Sequence, residues 1–172
     1  MDLVEAVALS ELLRITLLVI LLLPWPLIIK LLLVFVGLEL IEGRLPSILS
    51  GTPATDYFTS FVYNMQDKIC DTVIEWVVFF YLIWYCPGSV LNIVLLILLL
   101  YRTVGVILFL HTRRGNTLVA YPNAFRYFAY YVALVYDGYL CYNIGVAIFS
   151  FLAAIIFALG SEYNRHYGRV YN

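Results

Sequence analysis

Residues 12–40 form an apolar run of about 29 residues, roughly 43 Å as straight helix, against a bilayer hydrocarbon core of about 30 Å. Its charged residues, Arg14, Lys30 and Glu39, lie toward its ends, where long side chains reach the interface. Further apolar stretches cover residues 69–85, 89–110 and 125–159. The chain has 172 residues, 64% of them hydrophobic and 12% charged, whereas a soluble domain carries about 45–50% apolar and about 25% charged residues. A soluble domain of this size has too much surface for its volume to bury that excess, so the excess faces lipid or partner proteins. Fifteen Tyr, eleven Phe and three Trp suit wide interfacial margins, where an apolar ring and a polar tip are both satisfied.

These runs predict an all-α, multi-pass transmembrane bundle forming a single domain over residues 1–172, with four spans at 12–40, 69–85, 89–110 and 139–159. The first span is too long to stand straight, and Pro24-Trp25-Pro26 in its middle predicts a kink. The rival is a re-entrant hairpin turning at Trp25, with arms too short to cross. Residues 41–68, broken by Gly43, Pro46, Gly51 and Pro53, read as extramembrane. Within them Phe58, Phe61, Val62, Met65 and Ile69 make the stripe of an amphipathic interfacial helix, or else extend the next span. Cys86-Pro87-Gly88 is too short to join anything but antiparallel neighbours.

The last run is again too long for one span, and Asp137-Gly138 sits near its middle. Either a Tyr-rich interfacial segment over 125–136 leads into the span at 139–159, or two short spans meet at Asp137-Gly138, making five. Cationic loops favour the cytoplasmic side. Four spans put Arg44, Lys68, Arg113, Arg114 and Arg126 on one side and Arg165 and Arg169 on the other, whereas five put all of them together. The start, Met1-Asp2-Leu3-Val4-Glu5, is acidic, and the first run exceeds the roughly 7–15 residues of a signal-peptide core, so no cleaved leader is expected.

Charged residues inside apolar spans are costly, hence paired or functional. Counting from the turn at Pro87-Gly88, Arg102 lies at the depth of Glu75, and Asp71 is one turn from Glu75 on the same face. The expectation is an intramembrane ion pair or proton relay of Arg102 with Asp71 or Glu75. Asp137, with Tyr136, Tyr139 or Asn143 as partner, is an intramembrane polar site if it lies in a span and a hydrated turn residue otherwise. Ser150, Ala154 and Ala158 recur every four residues and form a close-packing helix face. His111, Arg113, Arg114 and Arg126, beside Tyr121, Phe125 and Tyr127, suit lipid headgroups or a phosphate.

Cys70, Cys86 and Cys141 lack C-x-x-C or Cys/His spacing, so no metal or redox site is expected, and no cofactor. A formal net charge of −1 offers no footprint for nucleic acid. Catalytic signatures such as H-E-x-x-H, G-x-S-x-G or a Walker loop are missing. The expected function is therefore a non-catalytic structural or accessory membrane subunit whose partners are lipids and other membrane proteins, or copies of itself. The alternative is an oligomeric ion or proton channel, or a small transporter, using Asp71, Glu75 and Arg102. A lipid-acting enzyme would need Asp137, His111 and the Arg cluster to converge.

Overall fold

The computed structural model describes residues 3–51 and 61–167, and its regular elements are all helical. Helix α1 (Leu3–Thr16) continues as a 3₁₀ segment (Leu17–Leu22), and the chain reverses at residues 23–26 into α2 (Leu27–Ser50). Then come α3 (Phe61–Tyr85), α4 (Val90–Thr112), the short α5 (Gly115–Ala120), α6 (Ala124–Tyr136) and α7 (Ile144–His166).

The expected kinked span over 12–40 is instead an antiparallel hairpin. Proline forces its predecessor out of the α region, and Leu23 is extended at φ −70° and ψ 149°. Two prolines bracketing Trp25 therefore end one helix and open the next, where one proline inside a helix would bend it. The register confirms the reversal: Lys30 Nζ donates to the Leu21 carbonyl at 3.1 Å, and Leu17 packs against Gly37, where an added Cβ would lie 2.8 Å from Leu17 Cδ1. The arms escape the length objection because each continues beyond the apolar run. The 14 residues of α1 and the 6 of the 3₁₀ segment extend about 33 Å, and the 24 of α2 about 36 Å.

The predicted interfacial helix is likewise absorbed. Phe61, Val62, Met65 and Ile69 belong to the first turns of α3, while Phe58 lies outside the described residues. The α3–α4 hairpin forms as expected on Cys86-Pro87-Gly88, with Gly88 at φ +76° and Ser89 Oγ accepting from the Leu91 N–H at 3.3 Å. Trp76 Nε1 donates to Thr103 Oγ1 at 3.2 Å and fixes the register of the two helices.

Residues 125–136, expected as an interfacial segment or a short span, are mostly buried inside the bundle. They form most of α6, the central helix, which packs against α2, α4 and α7 and buries Phe125, Phe128, Ala129, Val132 and Ala133. Asp137-Gly138 is a turn, with Gly138 at φ +77°, so α6 and α7 are antiparallel neighbours. Short as it is, α6 spans only about 20 Å with its 13 residues. The rest of that leg is α5 and an irregular stretch to Asn123, which double back against α4 and α7. Tyr101 Oη donates to the Ala120 carbonyl at 2.7 Å, and Tyr121 lies over Gly105, where a Cβ would meet Tyr121 Cβ at 2.2 Å.

The bundle thus has a turn end, made by residues 23–26, 86–89 and 137–143, and an opposite end carrying residues 113–117 and the close of α7. Among the described residues, α4 and α7 alone are long and apolar enough to cross a membrane by themselves. Four such spans are not found, because the first run divides and α3 carries Asp67, Lys68, Asp71 and Glu75.

Candidate functional site: a buried charge network

Asp67, Asp71 and Glu75 recur every fourth residue, so they stack on one face of α3, and all are buried. Burying a carboxylate is costly unless a cation and hydrogen bonds compensate, and the facing helices supply them. From α1, the fully buried Arg14 pairs with Glu11 at 2.8 Å, with Asp67 at 2.7 Å and with Asp71. From α6, Arg126 reaches Asp71 at 2.6 Å, Glu75 at 2.7 Å and Glu39 of α2 at 3.3 Å. Asn123 Nδ2 adds a hydrogen bond to Glu75 at 2.5 Å, and Lys68 pairs with Asp67 at 2.7 Å. Charge-assisted bonds of this kind are roughly twice as strong as neutral ones, and this set ties α1, α2, α3 and α6 at one level.

Arg102 stands beside this set without joining it. Its guanidinium donates to the Tyr121 carbonyl at 2.8 Å and pairs with Glu162 of α7 at 2.9 Å. Glu162 also lies 3.3 Å from His166 Nε2, and Arg165 pairs with Glu39 at 3.0 Å on the rim. The expected pair of Arg102 with Asp71 or Glu75 is therefore replaced. The hairpin brings Arg102 to the right depth, but α6 presents Arg126 to the acidic face of α3, and Arg102 points to α7 and the irregular stretch before α6. There it satisfies a partly buried carbonyl of non-helical backbone.

The other candidate residues separate. Asp137 and Asn143 are helix caps rather than a shared polar site: Asp137 accepts from the N–H groups of Leu27 and Ile28 at 2.9 and 2.7 Å, and Asn143 from those of Gly145 and Val146 at 2.9 and 3.2 Å. Asp137 thus places a carboxylate at the positive end of the α2 dipole and pins two turns together. Asp137→Ala is expected to lower stability by about 1–2 kcal/mol, read as a shifted unfolding midpoint in detergent. Ala154 and Ala158 are buried in the bundle, where α7 packs against α6, with Ser150 half-buried.

His111, Arg113 and Arg114 are exposed at the end opposite the turns, with the Arg113 guanidinium 4.7 Å from the Phe61 ring centroid, while Arg126 is buried in the network. They are not one anion site. Arg14 and Lys30 do not reach outward either, both being buried, whereas Glu39 stays half-exposed. Sequence reasoning placed Arg14 at the interface and did not pick out Asn123, Glu162 or the inward turn of Arg126. Asp71 and Glu75, one turn apart on α3, signalled that a cation had to meet them, but not which helix supplies it.

A cavity of about 30 Å³ adjoins the network, lined in part by Glu39, Lys68, Asp71, Asn123, Arg126 and Glu162. It has room for about two water molecules. Both cations and carboxylates line it, and among the described residues no cluster of His, Cys, Asp or Glu is arranged to hold a metal ion. Cys70 is buried, Cys141 exposed, and the three cysteines are unbridged. The arrangement is suited to fastening helices. No family model, no curated protein and no solved structure matches this chain, so the site is interpreted from its own chemistry.

Proposed function

We propose that this chain is a multi-pass integral membrane protein serving as a non-catalytic structural or accessory subunit, its helices fastened by the buried charge network. The observation that carries this reading is inverted polarity: Arg14, Asp67, Glu75 and Arg102 are buried, while Leu22, Trp84 and Phe149 are 79%, 78% and 73% exposed. In water both halves of that arrangement are unfavourable. In a bilayer the apolar exterior is solvated by acyl chains, and buried ionisable groups face the bundle interior, as they do in membrane spans.

Two further observations support it. Lys68, Arg113, Arg114, Arg126 and Arg165 all lie on the side of the bundle away from the turns, whereas residues 23–26, 86–89 and 137–143 contain no Lys or Arg. The positive-inside rule assigns the cationic end to the cytoplasmic face. Exposed Trp25, Trp84, Tyr85, Tyr139 and Tyr142 gather at the turn end, as in an aromatic belt. On this reading α1 with its 3₁₀ segment, α2, α3, α4, α5–α6 and α7 are successive legs, and the charges lie between the bilayer centre and the cationic face.

A subunit role is favoured over conduction because the carboxylates are matched by cations, and of the two cavities at the network the one that reaches Asp71 is only water-sized, while the larger cleft of about 350 Å³ meets it at Glu39, Arg126 and Arg165. Convergence on an enzyme site is disfavoured because Asp137 and His111 stand at opposite ends. The face open to partners is the outer side of α7, where Phe149, Ile156 and Phe157 are exposed, rather than the Ala154 and Ala158 face already used within the chain.

The membrane arrangement is tested with an impermeant maleimide on sealed vesicles, using native Cys141 at the turn end and an introduced Arg113→Cys at the other. The two are expected to label from opposite sides, and labelling from one side only rules out the topology. The subunit role is tested by isolating the protein from its native membrane in mild detergent. Stoichiometric foreign chains support it. A particle containing this chain alone contradicts it, and flux through liposomes bearing Glu75→Gln or Arg102→Gln then becomes the measurement of interest.

A further inference from the structure

Lys30 is a buried cation outside the network. It lies toward the turn end, one turn into α2, and is 5% exposed. Its ammonium donates to the Leu21 carbonyl at 3.1 Å and to the Tyr81 hydroxyl at 2.8 Å, with the Tyr81 ring centroid 5.3 Å away. Both acceptors are neutral, and among the described residues no carboxylate pairs with it. Asp137, the acidic side chain at this end, is held by the N–H groups of Leu27 and Ile28 and the Tyr85 hydroxyl. An ammonium has three N–H donors, so one remains for a further acceptor, and a buried cation without a counter-charge is costly.

That donor adjoins a cleft of about 430 Å³ formed by Leu21, Leu22, Lys30, Tyr81, Trp84 and Tyr85. The walls are apolar and aromatic, Lys30 is the charged group, and Leu22 and Trp84 stand out from the rim. A single cation beneath aromatic rings, at the mouth of an apolar groove, matches an amphiphile with an anionic head. A small soluble anion would leave most of that lining unused.

We infer that this cleft binds one membrane phospholipid, whose phosphodiester accepts the third Lys30 N–H and supplies the missing counter-charge. The first segment of an acyl chain lies along Leu22 and Trp84, and Tyr85 borders the headgroup. This inference rests on the membrane reading above.

The test uses the full chain in maltoside micelles with added dioleoylphosphatidylglycerol, followed by native mass spectrometry. The unmodified protein is expected to retain one lipid, Lys30→Arg to keep it, and Lys30→Met to retain about ten-fold less. Should Lys30→Met fail to fold, Leu22→Ser combined with Trp84→Ala alters only exposed rim residues and is expected to weaken retention at least about three-fold. Equal retention by folded Lys30→Met or by the rim variant overturns the inference. So does release of the lipid by millimolar inorganic phosphate, which assigns the site to a soluble anion. Flotation with liposomes separates the two readings: a chain that floats yet shows equal retention refutes the lipid site alone, and a chain that stays behind refutes membrane insertion as well.

Discussion

Arg126→Met is expected to lower the unfolding free energy by about 3–5 kcal/mol, the cost of removing one partner of a buried ion pair. Arg126 is the guanidinium that meets Glu75, which also accepts a hydrogen bond from the Asn123 amide, so the substitution leaves a fully buried carboxylate without its cation. Asp71 fares better because Arg14 remains. The physical cause is therefore testable by a second substitution. Glu75→Met placed together with Arg126→Met removes both charges and leaves side chains of similar volume, so most of the lost stability is expected to return. Detergent-solubilised protein unfolded in a denaturing surfactant, followed by circular dichroism, gives both values. A double variant no more stable than Arg126→Met would show that packing around the guanidinium, and not the stranded carboxylate, sets the effect.

The second large effect belongs to two glycines that permit close approach. A Cβ at Gly115 would lie 2.1 Å from the His166 carbonyl oxygen, and one at Gly105 would lie 2.2 Å from Tyr121 Cβ. Neither obstacle is the flexible tip of a side chain. Backbone must shift at the end of α7 in the first case and in the stretch before α6 in the second. Gly115→Ala and Gly105→Ala are each expected to cost about 2–3 kcal/mol, and Gly105→Ala also displaces the Tyr121 carbonyl that Arg102 binds. Gly160 is the internal control, since it lies in α7 with open space around its Cβ position. Gly160→Ala is expected to be neutral or to stabilise by up to about 1 kcal/mol, from helix propensity alone. Thermal midpoints of the three variants under one detergent condition decide the matter, and equal costs at all three positions would refute the close-approach argument.

Much of the helical content was legible from the runs themselves. The α3–α4 hairpin followed from Cys86-Pro87-Gly88, because a three-residue break between long apolar segments leaves no other geometry. The reversal at residues 23–26 was visible only as the less favoured option. The objection that its arms are too short came from counting apolar residues alone, and α1 and α2 both recruit polar residues beyond the run. Residues 125–136 misled for a related reason. Their tyrosines resemble an interfacial belt, yet Tyr131 is buried within α6, and Tyr136 donates from it to Asn92 at 2.7 Å. Tyrosine serves an interface and a polar-contacted interior equally well.

The apolar runs, the spacing of Asp71 and Glu75 and the turn at Cys86-Pro87-Gly88 determined by themselves that this chain is helical, that two of its helices form an antiparallel hairpin and that charges are paired between helices. Each of those features is local, acting through backbone sterics or through the four-residue periodicity of one helix. Which cation meets which carboxylate was decided only by tertiary structure. Asp71 and Glu75 take Arg14 and Arg126 rather than Arg102 because α1 packs on that face of α3 and α6 extends Arg126 to it, while Arg102 is turned toward Glu162. Depth along a helix can be counted from a turn, but rotation about its axis and the choice of neighbour depend on packing among residues distant in sequence.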